Sequence, residues 1–365
     1  MPLALDIQHM RHALRLAARQ LGRTWPNPSV GAVIVKDAAI VGIGATAPGG
    51  RPHAERQALD MAGGRAKGAT LYVTLEPCSH QGKTPPCTRG IIASGIARVV
   101  AGCADSNPKV SGQGFAQLRA AGIEVEQDVC EAEARALNEG FFLNMERGRP
   151  FVTLKTATSL DGKIAAQDGD SKWITGEDSR RSVHALRACH DAVLTGIGTV
   201  LADDPMLTCR LPGREGDSPQ RVLLDSGLRI SLQAKILPAW IFTSEATLKK
   251  EARKVKALET AGASVFALPL KEGRLDLEAL LKRLAEKGIT RLLAETGGTL
   301  AGALLARGLV DRFYWYRAPL IIGETGMSAL RTEAVQALSS LQRYRLTGSE
   351  RFGADLLEIY DCGTI

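Results

Sequence analysis

The chain has 365 residues, 45% of them hydrophobic and 23% charged, an ordinary globular composition long enough for two domains with a core each. No apolar run reaches the roughly 18 residues of a membrane span, and seven scattered cysteines are too few, and odd in number, for a disulfide framework, which leaves metal binding or reduced thiols. The net charge of +7 favours anionic partners, but nucleic acid, phosphorylated metabolites and dinucleotides all answer to that field.

At the N-terminus Met10, Ala13, Leu14, Ala17 and Leu21 recur at three- and four-residue steps. This predicts an amphipathic first helix with Asp6 as its cap and Gly22 at its end. The same segment has no sustained apolar stretch followed by a small-residue cleavage site, so a cytoplasmic protein is expected. Residues 30–36 (VGAVIVK), 69–75 (ATLYVTL) and 97–103 (ARVVAGC) are β-branched runs between turn residues and predict buried strands. Helical stretches follow His53 and Cys87 and cover 113–121, so the first half alternates strand and helix. A Gly-Arg-Pro turn near 147–150 predicts the boundary, with domains at 1–147 and 148–365. A second alternation then runs through FVTLKTA, DAVLTGIG, RVLLD, AWIFT, ASVFALP and RLLAETGG. The expectation is two α/β domains in series.

The chemistry of the first half starts at "HAERQALD", where His53 and Glu55 stand two residues apart, and continues in "LEPCSHQGKTPPC", which adds Cys78 and Cys87 after a strand. Histidine, a non-ligand glutamate and two cysteines form the zinc deaminase signature. One imidazole and two thiolates leave zinc a fourth position for water, whose pKa the metal lowers toward ~7. Glu55 can then carry protons to the ring nitrogen and to the departing amine. Placing His53 and both cysteines at helix N-termini would favour thiolate over thiol. A lone H-x-E is common by chance, but Pro-Cys after a strand with a second Cys opening the next helix is not. His80 can either close the zinc shell, making it structural, or line the substrate pocket, and the pocket is preferred. His9, His12, His184 and His190, with the other cysteines, are expected to be ordinary packed or solvated residues.

Eight residues separate Cys78 from Cys87, where most zinc deaminases have two. With "PNPSVGAVIV" before it, this pattern resembles the deaminase half of the bifunctional riboflavin-biosynthesis deaminase/reductase family, in which the longer loop is the rule. The resemblance implies a cytidine-deaminase-like zinc domain. Its substrate would be the diamino-pyrimidinone ribosyl phosphate made from GTP, which loses its ring 2-amino group, with Asn27, His80, Lys83 and Thr84 lining the pocket.

In the second half "RLLAETGGTLAGALLARGLVD" passes from an apolar strand through two glycines into a helix. Such a helix start can bind an anion, although glycines there more often only make the turn. "KTATSLDGKIA", "SKWITGEDSRRSVHALRA" and "GIGTVLADDPMLTCR" add polar loops. Together these resemble the reductase half of the same family, in the same order along the chain, with a dihydrofolate-reductase-like fold. The resemblance implies NADPH-dependent reduction of the ribosyl side chain to ribityl. It carries cofactor binding onto Ala157, Trp173, Thr199, Asp203, Ser226 and the turn Gly297, Gly298, Thr299, Leu300, Ala301, Gly302 and Ala303. It carries substrate binding onto Ser171, Arg187, Leu207, Arg210 and Glu295, with Lys155 or Asp203 assisting proton movement. The competing reading is a nucleic-acid base deaminase with an RNA-binding second half, but the chain is only 5% aromatic and lacks basic residues interleaved with stacking rings. A small phosphorylated substrate and a homo-oligomer are expected instead.

Overall fold

Glycines let helix and sheet approach closely enough to build the first site. The computed structural model describes residues 4–82, 84–106, 111–332 and 343–362, and the chain divides into two units, Met1–Arg149 and Pro150–Ile365.

The first unit opens with helix α1 (Ala4–Ala18), strands β1 (Gly31–Lys36) and β2 (Ala39–Ala45), helix α2 (Ala54–Ala62) and strand β3 (Thr70–Val73). It continues through α3 (Cys87–Ala93), β4 (Arg98–Ala101), α4 (Gln113–Ala120), β5 (Glu124–Glu126), α5 (Glu131–Leu137) and α6 (Glu139–Arg147). The sheet order is β2-β1-β3-β4-β5, with β1 antiparallel to both neighbours and β3, β4 and β5 parallel. Ala32, Val33, Ile34, Leu71, Val73, Val99 and Val100 are fully buried in it, as strands covered on both faces require.

Strand β2 lies against α2 at its glycines. A β-carbon on Gly44 would sit 2.1 Å from the Ala54 carbonyl oxygen, and one on Gly42 2.2 Å from that of Ala58. Gly44→Ala is therefore expected to lower the unfolding free energy by roughly 1–3 kcal/mol, read by urea denaturation, and to weaken zinc retention, because Ala54 follows His53.

Asp6 is not the cap that the periodicity suggested. It lies inside α1, buried, and accepts from Tyr72 Oη at 2.8 Å and from Arg98 Nη1 and Nη2 at 2.9 and 3.1 Å. The sheet supplies stronger, charge-assisted partners than a helix start would. The helix also ends at Ala18, short of Gly22.

The second unit begins with β6 (Phe151–Thr158), β7 (Lys163–Ala165), α7 (Glu177–Ala188), β8 (Ala192–Gly196) and α8 (Ile197–Asp203). Then come β9 (Gln220–Leu224), β10 (Trp240–Ser244), α9 (Glu245–Lys250), α10 (Ala252–Thr260) and β11 (Ser264–Leu268). A small hairpin of β12 (Leu270–Lys271) and β13 (Arg274–Leu275) leads to α11 (Leu277–Glu286), β14 (Arg291–Glu295) and α12 (Gly298–Ala306). Strands β15 (Arg312–Arg317), β16 (Met327–Ser328), β17 (Arg345–Phe352) and β18 (Asp355–Asp361) complete it.

Its large sheet has the order β11-β10-β9-β8-β14-β6-β15-β18-β17. It is parallel from β11 to β15 and antiparallel beyond. Buried Asp191 ties β8 to β14 by accepting from Thr290 N and Oγ1 and from Arg291 N at 2.7–2.9 Å. His190 is a packed core residue, bonded to Leu186 O and Thr153 Oγ1. No helix among the described residues is long and apolar enough to cross a membrane.

Candidate active sites

The first site forms where β3 runs out. His53 is the N-cap of α2, Glu55 lies in the first turn of that helix, and Cys87 opens α3. Cys78 is not at a helix N-terminus, contrary to the sequence expectation, but in the loop after β3. The α3 end reaches it all the same, since Cys87 N donates to Cys78 Sγ at 3.3 Å and Thr88 N to the Cys78 carbonyl at 3.2 Å.

His53 Nδ1 stands 3.7 Å from Cys78 Sγ and 3.4 Å from Cys87 Sγ, and the three donor atoms all lie within 4.8 Å of one another. A tetrahedron with Zn–S of about 2.3 Å and Zn–N of about 2.0–2.1 Å has edges of roughly 3.5–3.8 Å. The donor set therefore fits zinc, with one corner left open. His80 is exposed and is not in this cluster.

The two thiols shift in opposite directions. The hydrogen bond from Cys87, opposed by burial and helped by His53, brings the Cys78 thiol down to about 4, while the same bond and burial push Cys87 far up. His53 is raised by its bond to Cys78, against burial. Glu55, only 4% exposed, is pushed up by burial and then by the Cys78 charge, which brings a carboxyl closer to the working range of a proton carrier.

Three neighbours shape the surroundings. Asn27 Nδ2 donates to Gly50 O at 2.8 Å, and Arg51 Nη1 donates to Thr84 Oγ1. Lys83 lies outside the described residues. Buried Glu76 accepts from the backbone N–H groups of Asp105, Gly112, Gly114 and Phe115 at 2.9–3.4 Å, fixing the adjoining loop to the end of β3. Sequence reasoning passed over Arg51 and Glu76; an acid directly before Pro-Cys was the only signal for the second, and the first had none.

The second site is a cavity of about 1100 Å³ in the second unit, at the carboxyl ends of the parallel strands, where open α/β sheets bind ligands. Lys155 comes from β6, Gly196 from β8, Leu224 from β9 and Glu295 from β14. Ala157, Trp173, Thr199, Asp203 and Ser226 line it, as do Ser171, Arg187, Leu207 and Arg210. Of the glycine turn, Gly297, Gly298, Thr299, Leu300 and Ala303 face the cavity. Ala301 is fully buried, and Gly302 packs on the Arg331 backbone, whose oxygen would lie 2.1 Å from a β-carbon there.

Helix α12 starts at this turn with no side-chain cap, so its first N–H groups are free to meet an anion. Thr156 and Thr296, both lining the cavity, have buried hydroxyls without a hydrogen-bond partner among the described residues. Buried polar atoms of that kind call for a polar ligand, and the lining fits a phosphorylated dinucleotide.

At the cavity floor Arg187 grips Glu295 with two parallel bonds, Nε to Oε1 at 2.6 Å and Nη2 to Oε2 at 2.9 Å. Lys155 Nζ is 3.8 Å from Glu295 Oε2. Burial opposes ionisation of Glu295, but Arg187 and then Lys155 outweigh it and hold the carboxyl at about 2. Lys155 moves the other way from an ordinary ion-pair partner: burial lowers it, and Arg187 adds to that, against the pull of Glu295. His184, expected to be inert, also lines the cavity and bonds Thr208 O at 3.1 Å. Burial and the neighbouring Arg187 and Arg210 lower its pKa.

Two family models match the chain: the RibD C-terminal domain over residues 150–357, and the cytidine and deoxycytidylate deaminase zinc-binding region over residues 4–103. The chain is 45% identical to the riboflavin biosynthesis protein RibD of Aquifex aeolicus (strain VF5), over 97% of each chain. It is similar to a solved structure of Acinetobacter baumannii RibD, with a TM-score of 0.89, 38% identity and 98% of each chain covered. A solved Thermotoga maritima protein described as a diaminohydroxyphosphoribosylaminopyrimidine deaminase/5-amino-6-(5-phosphoribosylamino)uracil reductase matches with a TM-score of 0.86 and 37% identity, over 98% of this chain and 99% of that one.

Proposed function

Because this chain belongs to the RibD family of riboflavin biosynthesis proteins, we propose that it deaminates a phosphoribosyl diaminopyrimidine in its first domain, residues 1–147, and reduces the ribosyl side chain in its second, residues 148–365. The observation that carries this reading is the pairing, in one chain, of a His53-Cys78-Cys87 cluster beside buried Glu55 with a large cavity around the uncapped start of α12. The substrate is 2,5-diamino-6-ribosylamino-4(3H)-pyrimidinone 5′-phosphate and the final product 5-amino-6-ribitylamino-uracil 5′-phosphate, in keeping with the activities named for the Thermotoga maritima relative. The nucleic-acid reading gives way, because the second half is a RibD C-terminal domain.

Zinc at the first site supplies a Lewis acid able to bring the pKa of water toward ~7. Glu55 takes a proton from the attacking water at its carboxylate and passes it to the ring nitrogen; it then takes the second from the hydroxyl of the tetrahedral adduct as the carbonyl forms and delivers it to the amine, whose C–N bond breaks to release ammonia. Its raised pKa lets one group do both. Asn27, held by Gly50 O, orients the pyrimidine, with His80 and Thr84 at the pocket edge.

In the second site NADPH, when bound, supplies the hydride. The Gly297–Leu300 turn, Thr199 and Ser226 hold its phosphates and ribose, and Ala157, Trp173 and Asp203 flank the remainder. Ser171, Leu207 and Arg210 position the sugar phosphate, while Glu295, fixed by Arg187, accepts from the ribose hydroxyls. Lys155, buried and lowered, holds a proton at Nζ that it can release to the opening sugar. The chain acts in the cytoplasm as a homo-oligomer on small molecules.

Chelation of zinc from the purified chain is expected to stop ammonia release from the phosphoribosyl substrate while NADPH oxidation with the deaminated pyrimidine continues. Failure of the zinc-loaded chain to oxidise NADPH would sink the reductase assignment. Ammonia release from RNA or DNA, weakening steeply with salt, would overturn the small-molecule reading.

A further inference from the structure

One cation beside the zinc cluster keeps most of its hydrogen-bonding capacity in reserve. Arg51 stands two residues before His53 and reaches the loop between the two cysteines, where its Nη1 donates to Thr84 Oγ1. A β-carbon built on Gly82 would lie 3.6 Å from Arg51 Nη2 and 3.9 Å from His80 Nε2, so guanidinium and imidazole flank one point on that loop. On the other side of Arg51, Gly50 accepts from Asn27 Nδ2 at 2.8 Å. A β-carbon on Gly50 would come within 2.7 Å of Asn27 Cγ. Two polar side chains far apart in sequence, Asn27 and Thr84, thus meet at the dipeptide Gly50–Arg51.

A guanidinium has five N–H donors in a planar fork. Thr84 engages Nη1, and Nε and Nη2 donate to no described residue. Such a fork, partly shielded and next to a hydroxyl, matches two oxygens of a phosphate. A neutral pyrimidine or sugar offers it no charge to pair with.

We propose that Arg51 receives the 5′-phosphate of the deaminase substrate and makes the first site selective for the phosphorylated compound over its dephosphorylated counterpart. The assignment rests on the deaminase reading given above. Arg51 would otherwise be a brace for the cysteine loop, and a brace serves both compounds alike.

The test measures ammonia release by zinc-loaded wild-type chain, Arg51→Ala and Arg51→Lys, on the phosphorylated and the dephosphorylated pyrimidine. In Arg51→Ala the ratio of the two kcat/KM values is expected to fall roughly 10- to 100-fold, mainly through KM for the phosphorylated compound. Arg51→Lys, which keeps the charge against Thr84 but not the fork, should fall between. Inorganic phosphate should compete with the phosphorylated substrate in the wild type and less well in Arg51→Lys. Equal losses on both compounds, or a ratio that neither variant changes, would overturn the assignment of Arg51 alone. A zinc-loaded wild type that releases ammonia from neither compound would overturn the deaminase reading beneath it.

Discussion

Glu55→Gln is expected to lower ammonia release by roughly 10²–10⁴-fold with the zinc content unchanged. The amide fills the same buried space at the start of α2 but cannot carry a proton, and it leaves His53, Cys78 and Cys87 in place as donors, with the Cys87 thiol still offered a side-chain hydrogen-bond partner. NADPH oxidation with the deaminated pyrimidine should persist, because that cavity is lined wholly by residues of the second unit. Zinc analysis of the variant, with the two rates measured separately, checks both halves. In the zinc-free chain the same change should raise the unfolding free energy at pH 7. Burial has moved the Glu55 pKa above its ordinary value, and a carboxyl shifted in that direction opposes folding wherever it is ionised. The gain should vanish as pH falls below the ordinary carboxylate range, where both states hold the proton.

Glu295→Ala should remove reductase activity and cost about 3–5 kcal/mol of stability, the range for breaking a buried ion pair by deleting one member. Among the described residues Arg187 would be left with the Thr208 carbonyl and its contact with His184, and Lys155 would lose the counter-charge of Glu295. Chemical unfolding at pH 7 gives the magnitude. The sign of the pH dependence follows from the depressed carboxyl: the folded value is about 2 against an ordinary 4.5. The contribution of Glu295 is then complete above about pH 4.5 and is lost as pH falls toward 2. The gap between wild type and variant should close over that interval, and a gap that widened with acid would show that the ion pair is not what holds the site.

The zinc cluster was legible because its residues are chemically rare and sit on two short segments, so the spacing of His53, Glu55, Cys78 and Cys87 carried nearly the whole geometry. Partnerships made by the sheet were not. Arg187 and Glu295 were each assigned to the substrate from the resemblance, yet they bond to each other across 108 positions, joined by a crossover that no local pattern encodes. Strand β2 escaped notice because the glycines that admit α2, Gly42 and Gly44, also dilute the β-branched signal. The edge strand β17 did too, being exposed along nearly its whole length and therefore without apolar alternation. Asp6 looked like a cap because acids near helix starts usually are; only the fold reveals that Tyr72 and Arg98 claim it.

The position of β6 also has a bearing on biosynthesis. The strand is made first in its unit, but its neighbours on either side are β14 and β15, at Arg291–Glu295 and Arg312–Arg317. A ribosome must therefore add most of the remaining polypeptide before that strand has a hydrogen-bonded companion, whereas every strand of the leading sheet has emerged once residue 126 is out. The leading unit can close during translation, and the trailing one must keep an unpaired apolar strand from aggregating until synthesis is nearly finished.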